Sequence, residues 1–185
     1  MSDTTRDVYE AVQRLSRPDP TLKYINLACR HYTDAKLDEL VDCLLAHPDA
    51  VTTVYLDINK LTDQTGVKLA RYLAASSTIQ TLGLSHNQLG SGTYLAVAAA
   101  LCVNTSLRFL SLHGNQAVDR TRIEAAFVEA LRLNPDRPPK SEWWVCSALM
   151  NFEELKATTD RFGPSSMLAQ LDFAQDCLLS TEVRK

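Results

Sequence analysis

Three residues of the types found in a hydrolase triad are evenly spaced in this chain of 185 residues. Asp57, Ser85 and His113 follow one another at steps of 28 residues, and these residue types activate a serine nucleophile in acyl transfer. Such a site works only if the histidine lies between the other two, within about 2.6 to 3.2 Å of both. The elements that carry the three residues therefore decide whether they could act together.

The interval of 28 residues belongs to an internal repeat with four copies. The copies read LKYINLACRHYT, VTTVYLDINKLT, IQTLGLSHNQLG and LRFLSLHGNQAV, and they begin at Leu22, Val51, Ile79 and Leu107. Their first residues form one apolar column. Two more apolar columns run through all four copies, at Ile25, Val54, Leu82 and Leu110, and at Leu27, Leu56, Leu84 and Leu112.

A polar column follows three residues after the last apolar one. It holds Asn59, Asn87 and Asn115 in the last three copies and Arg30 in the first. An asparagine can donate to and accept from the backbone of adjacent turns, so the column predicts hydrogen bonds between stacked turns. Because arginine cannot accept, the first turn is predicted to be irregular.

Each copy continues into a segment with helical spacing. Apolar pairs four residues apart predict a helix after every strand motif, with these pairs facing the strands: Leu40 and Leu44, Leu69 and Leu73, Val97 and Leu101, and Phe127 and Leu131. The pattern as a whole resembles the leucine-rich repeat, LxxLxLxxNxL, in its long ribonuclease-inhibitor type. The resemblance covers about residues 21–136.

This resemblance implies a short right-handed α/β solenoid. Parallel β-strands are expected on the concave face at about residues 23–28, 52–57, 80–85 and 108–113, helices on the convex face, and helical caps at both ends. Relatives of this type include NOD-like receptors, Ran GTPase-activating proteins and the C-terminal domains of tropomodulins. The resemblance therefore implies a scaffold and not one function.

The predicted organisation has three parts: an N-terminal helical cap at 1–20, four leucine-rich repeats at 21–136, and a C-terminal helical cap or extension at 137–185. Caps are needed because the terminal repeats would otherwise expose their apolar columns. The first cap is predicted as a helix from Thr4 to Leu15 whose apolar stripe comprises Val8, Tyr9, Val12 and Leu15.

The C-terminal part is longer than a cap requires. Its sequence predicts a short strand at Trp143 to Cys146 and two helices, near 147–161 and 165–180. These elements could cover the last repeat or bind a partner.

In a solenoid, the order of the columns argues against the triad. Neighbouring parallel strands lie about 4.8 Å apart, so Asp57 and His113 would be roughly 10 Å apart with Ser85 between them. A regular strand also uses its amides in the ladder and leaves none for an oxyanion hole. We therefore predict no catalytic residue and no enzyme activity. The alternative, implied only by the resemblance, is a regulatory component of an enzyme system of the GTPase-activating or ubiquitin-transfer type.

Metal and cofactor sites are not predicted either. His86 with His113 and Cys29 with His31 lack the spacing of zinc motifs. The sequence LGSG at 89–92 lacks the GxxxxGK[ST] pattern, so its glycines are expected to serve tight backbone geometry. The five cysteines are odd in number and widely separated, which predicts reduced thiols.

Charge and hydropathy argue against two classes of partner, nucleic acid and membrane. With 19 basic and 22 acidic residues, a net charge of −3 and no long run of either sign, the chain has no electrostatic footprint for nucleic acid. It has no uncharged apolar run of 18 residues and no apolar N-terminal segment, so neither a membrane span nor a secretory signal is predicted. We expect a cytoplasmic protein that is a monomer in isolation.

The remaining candidate site is the concave face. Side chains between the apolar columns point to it, and the candidate partner-binding residues are Tyr24, Tyr55, Asp57, Arg108, Phe109 and His113. Aromatic anchors in a polar setting are typical of protein interfaces, and solenoids use their concave surface as a binding groove. We predict a non-enzymatic adaptor or scaffold that binds a protein of unknown identity there. Actin binding is a second alternative, because the tropomodulin-like scaffold permits it.

Overall fold

The computed structural model describes residues 4–17, 19–134 and 142–144. The strands in these ranges are β1 (Thr4–Thr5), β2 (Tyr24–Asn26), β3 (Thr53–Tyr55), β4 (Thr81–Gly83), β5 (Phe109–Ser111) and β6 (Glu142–Trp144). The helices are α1 (Val8–Ser16), α2 (Asp34–Ala46), α3 (Asp63–Ala75), α4 (Ser91–Leu101) and α5 (Arg120–Leu133). The strands form one parallel sheet in sequence order, with a helix after each of the first five, which confirms the predicted α/β solenoid.

The register of the sheet brings equivalent positions of the repeats side by side. Ile25 pairs with Val54, Val54 with Leu82, and Leu82 with Leu110, and each of the four is fully buried. The backbone ladder also extends past the three-residue strands, for example from Leu27 N–H to Tyr55 O at 2.9 Å. The four predicted strands are therefore confirmed, and the hydrogen bonds extend into the flanking residues that the prediction included.

The asparagine column connects the turns as predicted. Asn59 Nδ2 donates to Leu27 O at 3.0 Å and to Leu56 O at 2.9 Å, and its Oδ1 accepts from Tyr32 N–H at 2.9 Å. Asn87 and Asn115 repeat this arrangement one and two turns further on.

The first turn is irregular, as the arginine in this column predicts. It contains two residues with left-handed backbone, Cys29 at φ 58° and His31 at φ 55°. Each of the next three turns contains one, and these residues are Ile58, His86 and Gly114.

The N-terminal segment differs from the prediction. Thr4–Thr5 is a strand that pairs with β2, and α1 begins only at Val8, where the Asp7 side chain accepts from Glu10 N–H and caps the helix. Tyr9 is 73% exposed instead of facing the repeats. Successive helical residues are about 100° apart, so Tyr9 points away from Val8, and Ala11 takes the buried position.

The C-terminal strand is confirmed where it is described. β6 pairs in parallel with β5, but it begins at Glu142, one residue before the predicted strand. Val145, Cys146 and the two helices predicted beyond them lie outside the described residues. The division of the chain at residues 20 and 136 stays a prediction.

The thiols of Cys29, Cys43 and Cys102 are free, and Cys43 and Cys102 pack against the core. In the part of the chain that the structure describes, no helix combines the length and the apolar character that crossing a membrane requires.

Candidate functional site

Two rows of side chains alternate with the buried columns on the open face of the sheet. One row is Tyr24, Thr53, Thr81 and Phe109, and the other is Asn26, Tyr55, Gly83 and Ser111. Tyr24 is 42% exposed, and Tyr55 and Phe109 are half-buried. The three predicted aromatic residues therefore do lie on the face that the prediction assigned to them.

The structure does not gather these aromatic residues into one cluster. Tyr24 and Tyr55 lie on adjacent strands, whereas Phe109 is three strands from Tyr24, or about 14 Å at the usual strand spacing. Arg108 is exposed directly before Phe109, and its backbone N–H donates to Gln80 O at 2.8 Å. The face thus presents Tyr24 and Tyr55 on β2 and β3, and Arg108 with Phe109 at β5.

Gly83 determines how the middle of the face is filled. A Cβ at this position would overlap the carboxylate of Asp57 and lie 2.9 Å from Tyr55 Cδ1. Both side chains of the preceding repeat therefore lean over Gly83. In this position Asp57 Oδ1 accepts from Ser85 N–H at 2.9 Å and from Ser85 Oγ at 2.6 Å. Gly83 thus leaves room for both side chains, a role that was not predicted from the sequence.

His113 contacts a serine other than the one in the Asp57, Ser85 and His113 pattern. Its Nδ1 lies 2.9 Å from Ser111 Oγ, and its ring meets that of His86 edge to face with centroids 4.9 Å apart. Gly114 makes room for His86, because a Cβ there would lie 2.5 Å from His86 Nδ1. Ser85 Oγ donates to Asp57 and not to a histidine. The three residues therefore do not assemble as a triad, as the order of the columns predicted. The prediction that the protein is not an enzyme stays a prediction.

The glycines of LGSG have a different role from the one expected. Gly90 has an ordinary φ of −95°, and a Cβ at Gly90 or Gly92 would lie 2.8 Å from the carboxylate of Asp63. Asp63 Oδ1 accepts from Gly90 N–H at 2.8 Å and from Thr93 Oγ1 at 2.5 Å. Burial opposes ionisation of this carboxyl, but the hydrogen bonds from Thr93 and Gly90 outweigh that effect and lower its pKa. These glycines accommodate a hydrogen-bonded carboxylate between two repeats.

No described group of three or more histidine, cysteine, aspartate or glutamate side chains lies together as a metal site would require. His86 and His113 form a pair without a third such ligand among the residues the structure describes. The predicted absence of a metal or cofactor is not tested by this observation.

One further column of the repeat lies at the edge of the concave face and was not among the predicted site residues. The residues directly after the Ala28, Asp57, Ser85 and His113 column are Cys29, Ile58, His86 and Gly114, and all four have left-handed backbone. Ile58 is 42% exposed. The aligned copies could have indicated this column, because Ile58 occupies the turn position at which the fourth copy has Gly114.

Solved structures resemble this chain over nearly its whole length. The structure titled "Leiomodin-1 Actin-Binding Site 2 (ABS2)" has a TM-score of 0.68 at 19% identity and covers 98% of this chain and 100% of that one. This chain has the fold of a leucine-rich-repeat solenoid. The tropomodulin C-terminal domain of Caenorhabditis elegans has a TM-score of 0.71 at 14% identity, with 97% and 99% covered. No protein-family model and no curated protein matches the chain. At these identities the likeness shows the fold alone.

Proposed function

We propose that this chain is a non-enzymatic adaptor or scaffold module that binds a protein partner on its concave face. The observation that carries the proposal is the row structure of that face. Half-exposed Tyr24, Tyr55 and Phe109 project from a ladder whose intervening residues are fully buried. A backbone held in this way presents its side chains in fixed positions, which lowers the entropic cost of binding.

The chemistry of the face supports a protein and not a small molecule as ligand. Tyr55 and Asp57 lie together over Gly83, and Arg108 and Phe109 lie two strands away at β5. Aromatic anchors combined with charged groups over such a span suit an extended protein surface. A cytoplasmic location and a monomeric state belong to this proposal.

Actin is a second, more specific candidate partner. The leiomodin-1 structure is titled as an actin-binding site, and its likeness extends over 98% of this chain. At 19% identity no contact residue can be transferred, so the likeness supports a choice of probe and not a set of residues. A regulatory role in GTPase activation or ubiquitin transfer has only the sequence resemblance in its favour.

The test compares a face variant with a matched aromatic variant elsewhere. Wild type, Tyr55→Ala combined with Phe109→Ala, and Tyr9→Ala are used for cross-linking in lysate of the source cells and for titration against purified monomeric actin. Tyr9 is 73% exposed on α1, so its substitution removes an equally aromatic group outside the face. Circular dichroism verifies that each variant is folded.

We expect the double variant to lose its protein partner, with affinity reduced about thirtyfold or more, and Tyr9→Ala to retain it. If actin does not bind but another partner shows this pattern, the face proposal stands and actin is excluded. Retention of a specific partner by the folded double variant contradicts the proposal. Turnover by the purified chain that substitution of His113 abolishes would contradict the non-enzymatic assignment.

A further inference from the structure

Asp57 carries a carboxylate oxygen that no described residue binds. Its Oδ1 accepts both hydrogen bonds from Ser85, whereas its Oδ2 lies against Gly83 on the neighbouring strand. Ser85 is an uncharged donor, so its two bonds fix the orientation of the carboxylate without neutralising it. A carboxylate offers about four acceptor positions, which leaves Oδ2 able to bind a donor from outside the chain.

The charge of Asp57 is not paired within the described part of the chain. None of the ion pairs among the described side chains includes this residue. Lys23 and Arg108, at the start of the strands, lie five positions before the column of Asp57, which is about 16 Å along the strand direction. The concave face therefore presents a fixed negative charge at this point.

The basic groups of the nearby turns do not take the place of a partner. Arg30 belongs to the first repeat, and Lys60 bonds through its backbone N–H to that repeat, whereas the Asp57 carboxylate leans the other way, over β4. His86 follows β4, but its ring lies against Gly114 of the fourth repeat.

The ring of Tyr55 lies beside the same carboxylate. Tyr55 and Asp57 are two residues apart on one extended segment, so both project from the concave face, and both reach the point that a Cβ on Gly83 would occupy. Both side chains are half-buried, which strengthens their interaction with a charge compared with full exposure to water. An aromatic ring attracts a cation, and a planar guanidinium can stack on a ring while it donates to a carboxylate.

We propose that Asp57 and Tyr55 together bind an arginine side chain of the partner protein. The guanidinium donates to Asp57 Oδ2 and stacks on the Tyr55 ring, while Ser85 holds the carboxylate and Gly83 leaves room for both side chains. The proposal rests on the proposed function, because it names the chemistry that the concave face recognises. An acidic or purely apolar segment would leave the charge of Asp57 unpaired in the interface, and such a segment is therefore disfavoured.

The test uses NMR of the full chain and a capped heptapeptide that has one central arginine among glycines and serines. The amide shifts of Gly83 and Ser85 report binding. In two comparison peptides the arginine is replaced by citrulline, which has a similar shape without the charge, or by glutamate. We expect saturable shifts with a dissociation constant of about 1 mM for the arginine peptide, binding at least about tenfold weaker for citrulline, and none for glutamate.

Variants separate the charge from the ring. Asp57→Asn keeps an oxygen acceptor for Ser85 and removes the charge, so it should weaken binding of the arginine peptide about tenfold. Tyr55→Leu should weaken it about threefold, because the ring contributes less than the charge. Glu39→Gln is the matched control, since it removes an exposed carboxylate from α2 and should bind as wild type does. Circular dichroism verifies that each variant is folded.

Unchanged binding by folded Asp57→Asn, equal binding of the citrulline peptide, or the absence of saturable shifts at Gly83 and Ser85 overturns the proposal. Phe109→Ala, two strands from Tyr55, should still bind the arginine peptide and should weaken binding of the protein partner. If Phe109→Ala weakens the partner but wild type does not bind the peptide, the concave face stands and the arginine contact is wrong. If the peptide binds as expected but the Tyr55→Ala, Phe109→Ala variant retains the partner, the arginine contact stands and the proposed function is wrong.

Discussion

Replacing Asn87 by alanine tests whether the asparagine column holds the turns together. Asn87 is 6% exposed, its Nδ2 donates to Leu56 O at 3.0 Å and Leu84 O at 3.1 Å, and its Oδ1 accepts from Leu61 N–H at 3.1 Å. The two carbonyls retain a donor after the change, because Asn59 also donates to Leu56 O and Asn115 to Leu84 O. Buried Leu61 N–H loses the partner that the side chain supplied.

The expected loss of stability comes mainly from Leu61 N–H, because the two carbonyls keep a second donor. An unsatisfied buried N–H costs about 1 to 3 kcal/mol, and two shared hydrogen bonds contribute about 0.5 kcal/mol each, so the free energy of unfolding should fall by about 3 kcal/mol. For a domain of this size that corresponds to a melting temperature lower by about 6 to 12 °C. Urea unfolding followed by circular dichroism, with thermal melts in parallel, measures both quantities.

A double-variant cycle tests whether Asn59 and Asn87 share Leu56 O as an acceptor. Asn59→Ala together with Asn87→Ala removes both side-chain donors to Leu56 O, so the pair should cost about 1 kcal/mol more than the sum of the single variants. Gln88→Ala is the control, because Gln88 is exposed and adjacent. A loss for Asn87→Ala as small as that for Gln88→Ala, or additivity of the pair, would refute the account of shared donors.

Three further predictions concern the repeats and their end. Asp63 has a lowered pKa, so its contribution to stability is present above the unfolded pKa near 4 and is lost as the pH falls through the folded pKa. Asp63→Asn should therefore have a lower melting temperature than wild type at pH 7, and the two melting temperatures should converge in acid. Tyr72 Oη is buried and forms no hydrogen bond of regular geometry among the described residues, although the Ser76 hydroxyl lies near enough to oppose the rise in its pKa that burial causes. Tyr72→Phe should therefore keep or raise the melting temperature, and a clear decrease would show that the contact with Ser76 is a stabilising hydrogen bond. Deleting residues 141–185 removes β6 and leaves β5 as an edge, which should cause aggregation or a lower melting temperature; an equally stable monomer would instead make the tail an interaction module.

The sequence by itself determined the architecture, because the features that define it repeat along the chain. The apolar column from Ile25 to Leu110 and the asparagine column were visible in the aligned copies, and both are buried or bonded as predicted. A repeat that cannot bury its apolar face alone must stack on its neighbours, so period and residue type together specify the solenoid.

Only the tertiary structure decided how individual side chains are used. Thr4–Thr5 becomes a strand because the first repeat offers it an edge to pair with, a condition that its own sequence does not encode. Ser85 binds Asp57 instead of a histidine because Asp57 leans over Gly83 from the preceding repeat. Ile58 adopts a left-handed backbone because Ser85 O, 27 residues further along the chain, accepts its N–H. Each of these outcomes depends on contacts between segments about 20 to 28 residues apart in the sequence. The local sequence pattern does not specify which side chain of a neighbouring segment makes the contact.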